Sequence, residues 1–240
     1  MRTRRIALLA VSALLVLTAC KATFQDPVLG SDPAKILAGA VKSFEKGVNF
    51  SGAVTKDGRT TTFRGSEAAD GSLRLLATDP SVTTFDTRWS AGEMWISAIG
   101  NNAPDGWGHM TTQVDTMRGL FGAYSPAETM AGLLEDVDAV ERTGKLRYEG
   151  VLDYGGSGDR RLAMTKYSTS SLEDADEVDF LAVLNPDGTI SSFGYTVDGF
   201  DVVYNFSEYG APEAPAKPGD GIKELAGPEE FLRWLLGTEK

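Results

Sequence analysis

The apolar positions of the chain change their spacing several times, and each change marks a boundary between predicted elements. Between residues 33 and 46 apolar side chains recur every three or four positions, which is typical of an amphipathic helix. Asp32 supplies a side-chain cap, Pro33 suits the first helical position, and Gly47 ends the run. The sequence therefore predicts one helix ahead of all the strands.

Alternating apolar and polar residues replace the helical spacing after Val48 and predict a series of short strands. The alternating stretches are 50–56, 60–67, 73–78, 82–89 and 94–99. Turn-forming pairs such as Asp57-Gly58 separate them, and connections this short favour an antiparallel meander. The next stretch, rich in Gly and Pro and carrying Trp107 and His109, is predicted to be a loop.

The second half of the chain repeats this order of helix followed by strands. Two apolar clusters between residues 112 and 138 predict two helices, and Ser125-Pro126 is the expected start of the second. Predicted strands follow at 139–142, 146–153, 161–167, 178–184, 190–197 and 200–207. A proline-rich stretch is expected to end the sheet after residue 211, and a last helix is predicted at 228–236.

Runs of strands separated by runs of helices indicate the α+β class with an antiparallel sheet. In the last predicted strand Phe200, Val202, Tyr204 and Phe206 share one face, and polar residues lie between them. We expect a single domain at residues 32–240 with about ten strands, whose apolar face is covered by the helices. The pattern leaves open whether the helices fill the space over that face or leave a hollow.

The first residues of the chain have the features of an export signal. Arg2, Arg4 and Arg5 precede an unbroken apolar run at 6–17, which is too short to span a membrane comfortably. Leu17-Thr18-Ala19-Cys20 resembles the bacterial lipobox, whose cysteine receives a diacylglyceryl group and becomes the first mature residue. We expect a signal peptide at 1–19 and a lipidated Cys20 with a tether at 20–31. The alternative is a plain signal peptide with an incidental cysteine.

Composition and charge exclude several classes of protein. The 240 residues include 23 Lys and Arg against 34 Asp and Glu, and the net charge of −11 argues against a nucleic-acid partner. Removal of residues 1–19 takes away three arginines and no acid, so the mature chain carries −14. One Cys and one His exclude disulfides within the chain and multi-histidine metal sites. The expected location is the outer face of the cell membrane, reached through the lipid anchor.

Residues that could carry chemistry are few. His109 could act as a general base, although a polar loop residue is the favoured interpretation. A divalent cation could bind the acidic cluster, which lacks the spacing of a calcium loop and favours a solvated loop: Glu173, Asp174, Asp176, Glu177 and Asp179. There is no phosphate-binding loop and no nucleophile elbow, so we expect no catalytic residue, no metal and no cofactor.

Several short stretches resemble the actinobacterial lipoproteins of the LppX and LprG type, and more distantly the LolA and LolB carriers. They are the lipobox, the first helix, residues 92–96 with Trp107 downstream, residues 183–190 and residues 206–212. The resemblance spans residues 32–218, so the helix at 228–236 lies beyond it. The disulfide of some relatives is impossible in a chain with one Cys.

This resemblance implies a curved sheet, or half-barrel, wrapped around helices, with an apolar cavity that holds the acyl chains of envelope lipids or lipoglycans for transport. It implies no enzyme activity and no cofactor. The implied partners are the membrane, an envelope lipid or lipoglycan, and a membrane transporter. The lining we expect consists of Phe63, Leu75, Phe85, Met94, Ile96, Met117, Leu120, Met130, Leu133, Phe193 and Tyr195. The alternatives are a tethered module that binds a partner protein or senses the envelope and, behind it, an enzyme.

Overall fold

The computed structural model describes residues 32–78, 83–100, 103–121, 125–135, 137–153 and 177–235. The strands are β1 (Val48–Lys56), β2 (Arg59–Glu67), β3 (Leu73–Thr78), β4 (Thr84–Ser90), β5 (Glu93–Ile99), β6 (Trp107–Met110), β7 (Val137–Arg142), β8 (Arg147–Asp153), β9 (Glu177–Leu184), β10 (Ile190–Val197), β11 (Phe200–Ser207) and β12 (Ile222–Glu224). The α-helices in these ranges are α1 (Pro33–Val41), α2 (Val114–Phe121), α3 (Pro126–Glu135) and α4 (Pro228–Leu235), and a 3₁₀ turn (Lys42–Lys46) follows α1. None of the helices described is long and apolar enough to cross a bilayer.

All twelve strands belong to one sheet, in the order β12-β6-β5-β4-β3-β2-β1-β11-β10-β9-β8-β7. Strands β1 to β6 and β7 to β11 pair with their neighbours in sequence, and β1 joins the two halves by pairing antiparallel with β11. The only parallel pair among the described strands is β12 with β6. The sheet is unclosed, since β12 and β7 form its two edges. The fold is therefore α+β with a single large, mostly antiparallel sheet, as the sequence predicts.

Two strands contradict the sequence-based assignment, which left Trp107 and His109 in a loop and ended the sheet at the prolines. Residues Trp107–Met110 form β6, and Ile222–Glu224 return to the sheet as β12 beside it. Gly108 suggested a loop, but it pairs with Ile96 in β6. The lack of a side chain there makes room for Leu225, whose Cδ1 would stand 2.6 Å from a β-carbon. Strand β12 has three residues, too few to show a periodic pattern.

The remaining predicted strands agree with the structure within two residues at each end, except that 161–167 lies outside the described residues. Val137, which its spacing placed in the second of the middle helices, instead begins β7. The expected caps are present. Asp32 Oδ1 accepts hydrogen bonds from the amides of Ala34 and Lys35, and Ser125 Oγ accepts one from the amide of Glu128.

The sheet has an apolar face, called the inner face here, and a polar outer face. In β11 the side chains of Phe200, Val202, Tyr204 and Phe206 are buried, and the residues between them are exposed. The cross-strand pairs continue this division through the sheet, because paired residues of neighbouring strands point to the same side. The predicted alternation of the late strands is confirmed.

Short helices cover the inner face at several places. Phe44 of the 3₁₀ turn packs edge-on against Phe206 of β11, with ring centres 4.8 Å apart. The guanidinium of Arg118 in α2 lies 4.4 Å from the ring centre of Trp89 in β4. Helix α4, for which the resemblance offers no counterpart, docks on the sheet with Phe231 and Trp234 buried in the common core.

Candidate ligand-binding interior

Among the described residues, one continuous apolar cluster joins the inner face of the sheet to the helices. The four methionines that the structure describes lie in this cluster, and none of them exposes surface to water: Met94, Met110, Met117 and Met130. Two come from the sheet, where Met94 of β5 pairs with Met110 of β6, and two come from α2 and α3. Unbranched, polarisable methionine side chains thus contribute to this apolar core from both the sheet and the helices.

The structure brings the residues expected to line a cavity into this cluster. On the sheet, Leu75 and Ile96 lie in one cross-strand row, joined through Thr87, and Phe63 and Phe85 lie in the next, joined through Ala77. The remaining ones described are distributed over β5, β10 and the helices: Met94, Met117, Met130, Leu133, Phe193 and Tyr195. Leu120 belongs to α2, but its side chain lies outside the described part of the chain.

The open cavity that the resemblance implies is not seen at these positions, where the interior is closed. Met94, Ile96, Met117 and Met130 have no accessible surface, so no space next to them admits a water molecule in this conformation. Phe63 keeps 8% of its surface and Phe85 is only partly buried. A hydrocarbon chain could enter between sheet and helices only after a helix moved away from the sheet.

One carboxylate interrupts the apolar inner face. Glu67, the last residue of β2, is 4% exposed and pairs across the strands with Val48 and Leu73, which are both fully buried. Its Oε1 accepts a hydrogen bond of 2.5 Å from Ser125 Oγ, and its Oε2 accepts one of 3.2 Å from the amide of Ala127. Burial raises the pKa of Glu67, and it outweighs the opposing effect of these two hydrogen bonds.

The single histidine lies on the outer face, far from this interior. His109 stacks on Trp95 with ring centres 5.1 Å apart, and its Nδ1 lies 2.8 Å from Oε1 of Glu224 in β12. Its Nε2 lies 3.6 Å from Oε2 of Glu93. The histidine therefore sits in β6 between two carboxylates and fastens β12 to its neighbour, whereas the sequence placed it in a loop.

The segment between β11 and β12 crosses the outer face and is held there by polar contacts. Lys217 Nζ donates a 2.7 Å hydrogen bond to Glu93, and Arg88 Nη1 donates one of 2.7 Å to the carbonyl of Ala216. Arg88 also lies 4.4 Å from the ring centre of Trp107. We call residues 211–224 the strap, because they lead from the outer face around the β6 edge to α4.

The acidic cluster is only partly described. Residues 173–176 lie outside the described ranges, and Glu177 and Asp179 are exposed on the outer side of β9. No group of three or more His, Cys, Asp or Glu side chains in the described part of the chain is arranged to hold a metal ion.

Two open hollows occur on the outer face of the sheet. The larger, of about 1090 Å³, crosses β7 to β11, and the smaller, of about 530 Å³, crosses β11 and β1 to β4. Acidic groups such as Glu149, Asp179 and Asp201 line the larger one. Apolar side chains such as Val151, Leu181 and Val203 also line the larger hollow. Both hollows are open to solvent, and a hydrocarbon chain in the larger one would lie against carboxylates and desolvate them, so we keep the interior as the candidate site.

Sequence reasoning missed two contributors to the interior and left the position of two others open. Met110 was assigned to a loop, although its spacing of two from Gly108 places both on the inner face. Trp234 and Phe231 were recognised as apolar residues of the last helix, which could either dock on the sheet or cover the mouth of a cavity, and the structure docks them on the sheet. Nothing in the sequence pattern distinguished Glu67 from other acidic residues, because its hydrogen-bond partner Ser125 lies 58 residues away in the chain.

Comparison with known proteins gives similarities in structure alone. No family model matches the sequence, and no curated protein matches it. The fold is similar to the crystal structure of lipoprotein LppX from Mycobacterium tuberculosis, with a TM-score of 0.47 and 8% identity over 79% of this chain and 98% of that one. It is also similar to LprF from Mycobacterium bovis, with a TM-score of 0.48 and 12% identity over 80% of this chain and 100% of that one. A DUF1329 family protein from Desulfovibrio piger matches at a TM-score of 0.26 and 10% identity, over 73% and 92% of the two chains.

Proposed function

We propose that the protein is anchored to the extracytoplasmic face of the cell membrane through Cys20 and binds acyl chains of an envelope lipid or lipoglycan non-covalently, as a step in lipid transport. The export signal and the lipobox support the anchor, and the chain's one Cys lies at the position that a lipobox requires. Two acyl chains hold a protein on a membrane stably where one chain does not.

The observation that carries the binding proposal is that four fully buried methionines, two from the sheet and one each from α2 and α3, belong to one apolar cluster. Methionine has three rotatable bonds and adapts its shape to varied apolar partners. A cluster of this kind can separate and close again around a hydrocarbon chain with little loss of contact. We keep the residues expected from the sequence as the proposed ligand contacts, and we add Met110, which pairs with Met94.

The energy of binding would come from the burial of methylene groups, each of which contributes about 0.8 kcal/mol. Ten buried methylenes would thus contribute about 8 kcal/mol, against which the cost of moving a helix must be set. The covering helices α1, α2 and α3 have nine, eight and ten residues, so each has a small contact area with the sheet. The proposal includes no reaction and no cofactor.

A photo-crosslinkable fatty acid, fed to cells that produce the full-length protein, tests the proposal. After irradiation the mature protein is purified and digested, and the crosslinked peptides are identified by mass spectrometry. We expect crosslinks in peptides that contain Met94, Met117 or Met130, separate from the acylated N-terminal peptide. Crosslinks confined to outer-face positions, or none beyond Cys20, would contradict the proposal and favour a tethered interaction module.

A further inference from the structure

Two buried carboxylates in the described part of the chain differ sharply in their partners. Asp86, on the outer side of β4, is held by the guanidinium groups of Arg74 and Arg88 at 2.8 and 3.4 Å. Glu67, on the inner face, is bound by a hydroxyl and a backbone amide instead. A carboxylate buried among apolar side chains without a bonded cation is costly in its ionised form.

Glu67 is positioned where it controls one helix. Ser125 is the N-cap of α3, and Ala127 lies in the first turn of that helix. Both groups that bind Glu67 therefore belong to the start of α3, and Met130 and Leu133 farther along the same helix close the interior. The carboxyl group is the polar contact between the sheet and the helix that seals the candidate site.

The charged groups around Glu67 come from the two helices packed against it. Glu128 of α3 opposes its ionisation, and Arg118 of α2 favours it. Arg118 itself lies 3.2 Å from Glu128 and stacks on Trp89, so Glu67 is one of several groups that its charge stabilises. Desolvation remains the strongest influence, and the closed state binds the proton of Glu67 more tightly than a solvent-exposed carboxyl would.

We propose that Glu67 is a pH-dependent latch: its protonated form holds α3 against the sheet, and its ionised form loosens α3 and opens the way to the interior. The part that concerns ligand entry rests on the proposed function above. The direction of this pH effect follows from the linkage between proton binding and the stability of the closed state. A group with a raised pKa in the closed state stabilises that state at low pH, and the stabilisation is lost as pH rises through the raised pKa.

Glu67→Gln imitates the protonated form, because its amide can donate to Ser125 Oγ while its carbonyl accepts from the Ala127 amide. This substitution should therefore tighten the latch at neutral pH, although it removes a charge from a hydrogen-bonded site. Glu128→Gln is the matched control, since it removes a carboxylate from the same helix at a side chain that is 58% exposed.

Hydrogen exchange of the mature, acylated protein in detergent micelles, followed by mass spectrometry, measures the opening of α3. We expect the protection of residues 127–135, corrected for intrinsic exchange, to fall in the wild type as pH rises above 4.5. Glu67→Gln should abolish this fall and raise protection at pH 8 by about fivefold or more. Glu128→Gln should keep the fall but move it to lower pH, because it removes a charge that opposes the ionisation of Glu67. The peptide at residues 200–207 should not change, which separates local opening from global unfolding.

An unchanged pH profile in Glu67→Gln, or lower protection of α3 in that variant, would overturn the latch. The exchange measurement contains no lipid, so it is independent of the crosslinking experiment. If the latch behaves as expected and no interior crosslink forms, the proposed function fails and the latch stands. If interior crosslinks form and the pH profile is unchanged, only the latch fails.

Discussion

Trp234 of α4 lies over Gly108 of β6 so closely that a β-carbon at residue 108 would stand 3.2 Å from Cζ3 of the indole. A side chain at residue 108 would therefore require the docked indole to shift. This contact joins the stretch that the sequence pattern predicted to be a loop to the last helix.

Gly108→Ala is expected to destabilise the protein by about 1–3 kcal/mol, because the new methyl group also meets Leu225 at 2.6 Å. Urea denaturation of the mature protein measures the change. Gly39→Ala in α1 is the control, since no atom lies within 4 Å of the added carbon, and it should stabilise by about 0.4–1 kcal/mol. Equal effects at the two positions would show that the tight fit at β6 is unimportant.

Phe231→Ala is expected to cost about 3–5 kcal/mol of unfolding free energy, because the ring is completely buried in the common core. Leu232→Ala, at the neighbouring residue with 48% of its surface exposed, should change the free energy by less than about 0.5 kcal/mol. Thermal unfolding of both variants checks the difference. A mild effect of Phe231→Ala would mean that α4 is not part of the core.

Arg88→Lys is expected to release the strap while the charge at residue 88 stays the same. Lysine cannot pair with Asp86, donate to the Ala216 carbonyl and stack on Trp107 with one planar group, as Arg88 does. Hydrogen exchange of residues 211–224 should rise by about fivefold. Lys217→Arg, which retains a donor for Glu93, serves as the control and should leave exchange nearly unchanged.

The double substitution Met117→Leu and Met130→Leu is expected to preserve the fold, because volume-conserving apolar changes usually cost less than about 1.5 kcal/mol each. The branched side chains adapt less well, so interior crosslinking by the photoreactive fatty acid should fall by about fivefold. Ile99→Leu, at a side chain that is 58% exposed on the outer face, should have no effect. Undiminished crosslinking in the double variant would remove the role assigned to the methionines.

Cys20→Ser is expected to abolish acylation. Cells grown with radiolabelled palmitate should incorporate label into the wild type and none into the variant, which also keeps its signal peptide. Label that persists in Cys20→Ser would contradict the proposed anchor.

The parts of the fold that follow from local chemistry could be predicted. Asp198-Gly199 formed the expected turn between β10 and β11, and the alternation of Phe200 to Phe206 gave the buried face correctly. Strand β6 could not be predicted, because the side chains that pack over Gly108, Leu225 and Trp234, are more than 100 positions away in the chain. Strand β12 is too short to show a periodic pattern.

Only some residues of the candidate interior could be predicted, because a local pattern does not record contacts between distant parts of the chain. Periodicity identified Ile96 and Met130 as buried, because burial on one face leaves a repeating pattern. It could not identify Glu67, whose importance depends on Ser125 in a separate helix. Whether the helices can leave the sheet depends on the balance of these contacts, which no local pattern records.

Mass spectrometry of the intact mature protein, taken directly from membranes, tests the central claim most directly. Our account predicts an adduct of lipid mass that organic solvent removes, in addition to the diacylglyceryl group that remains on Cys20. A mass equal to that of the acylated chain alone, before and after solvent treatment, would contradict it.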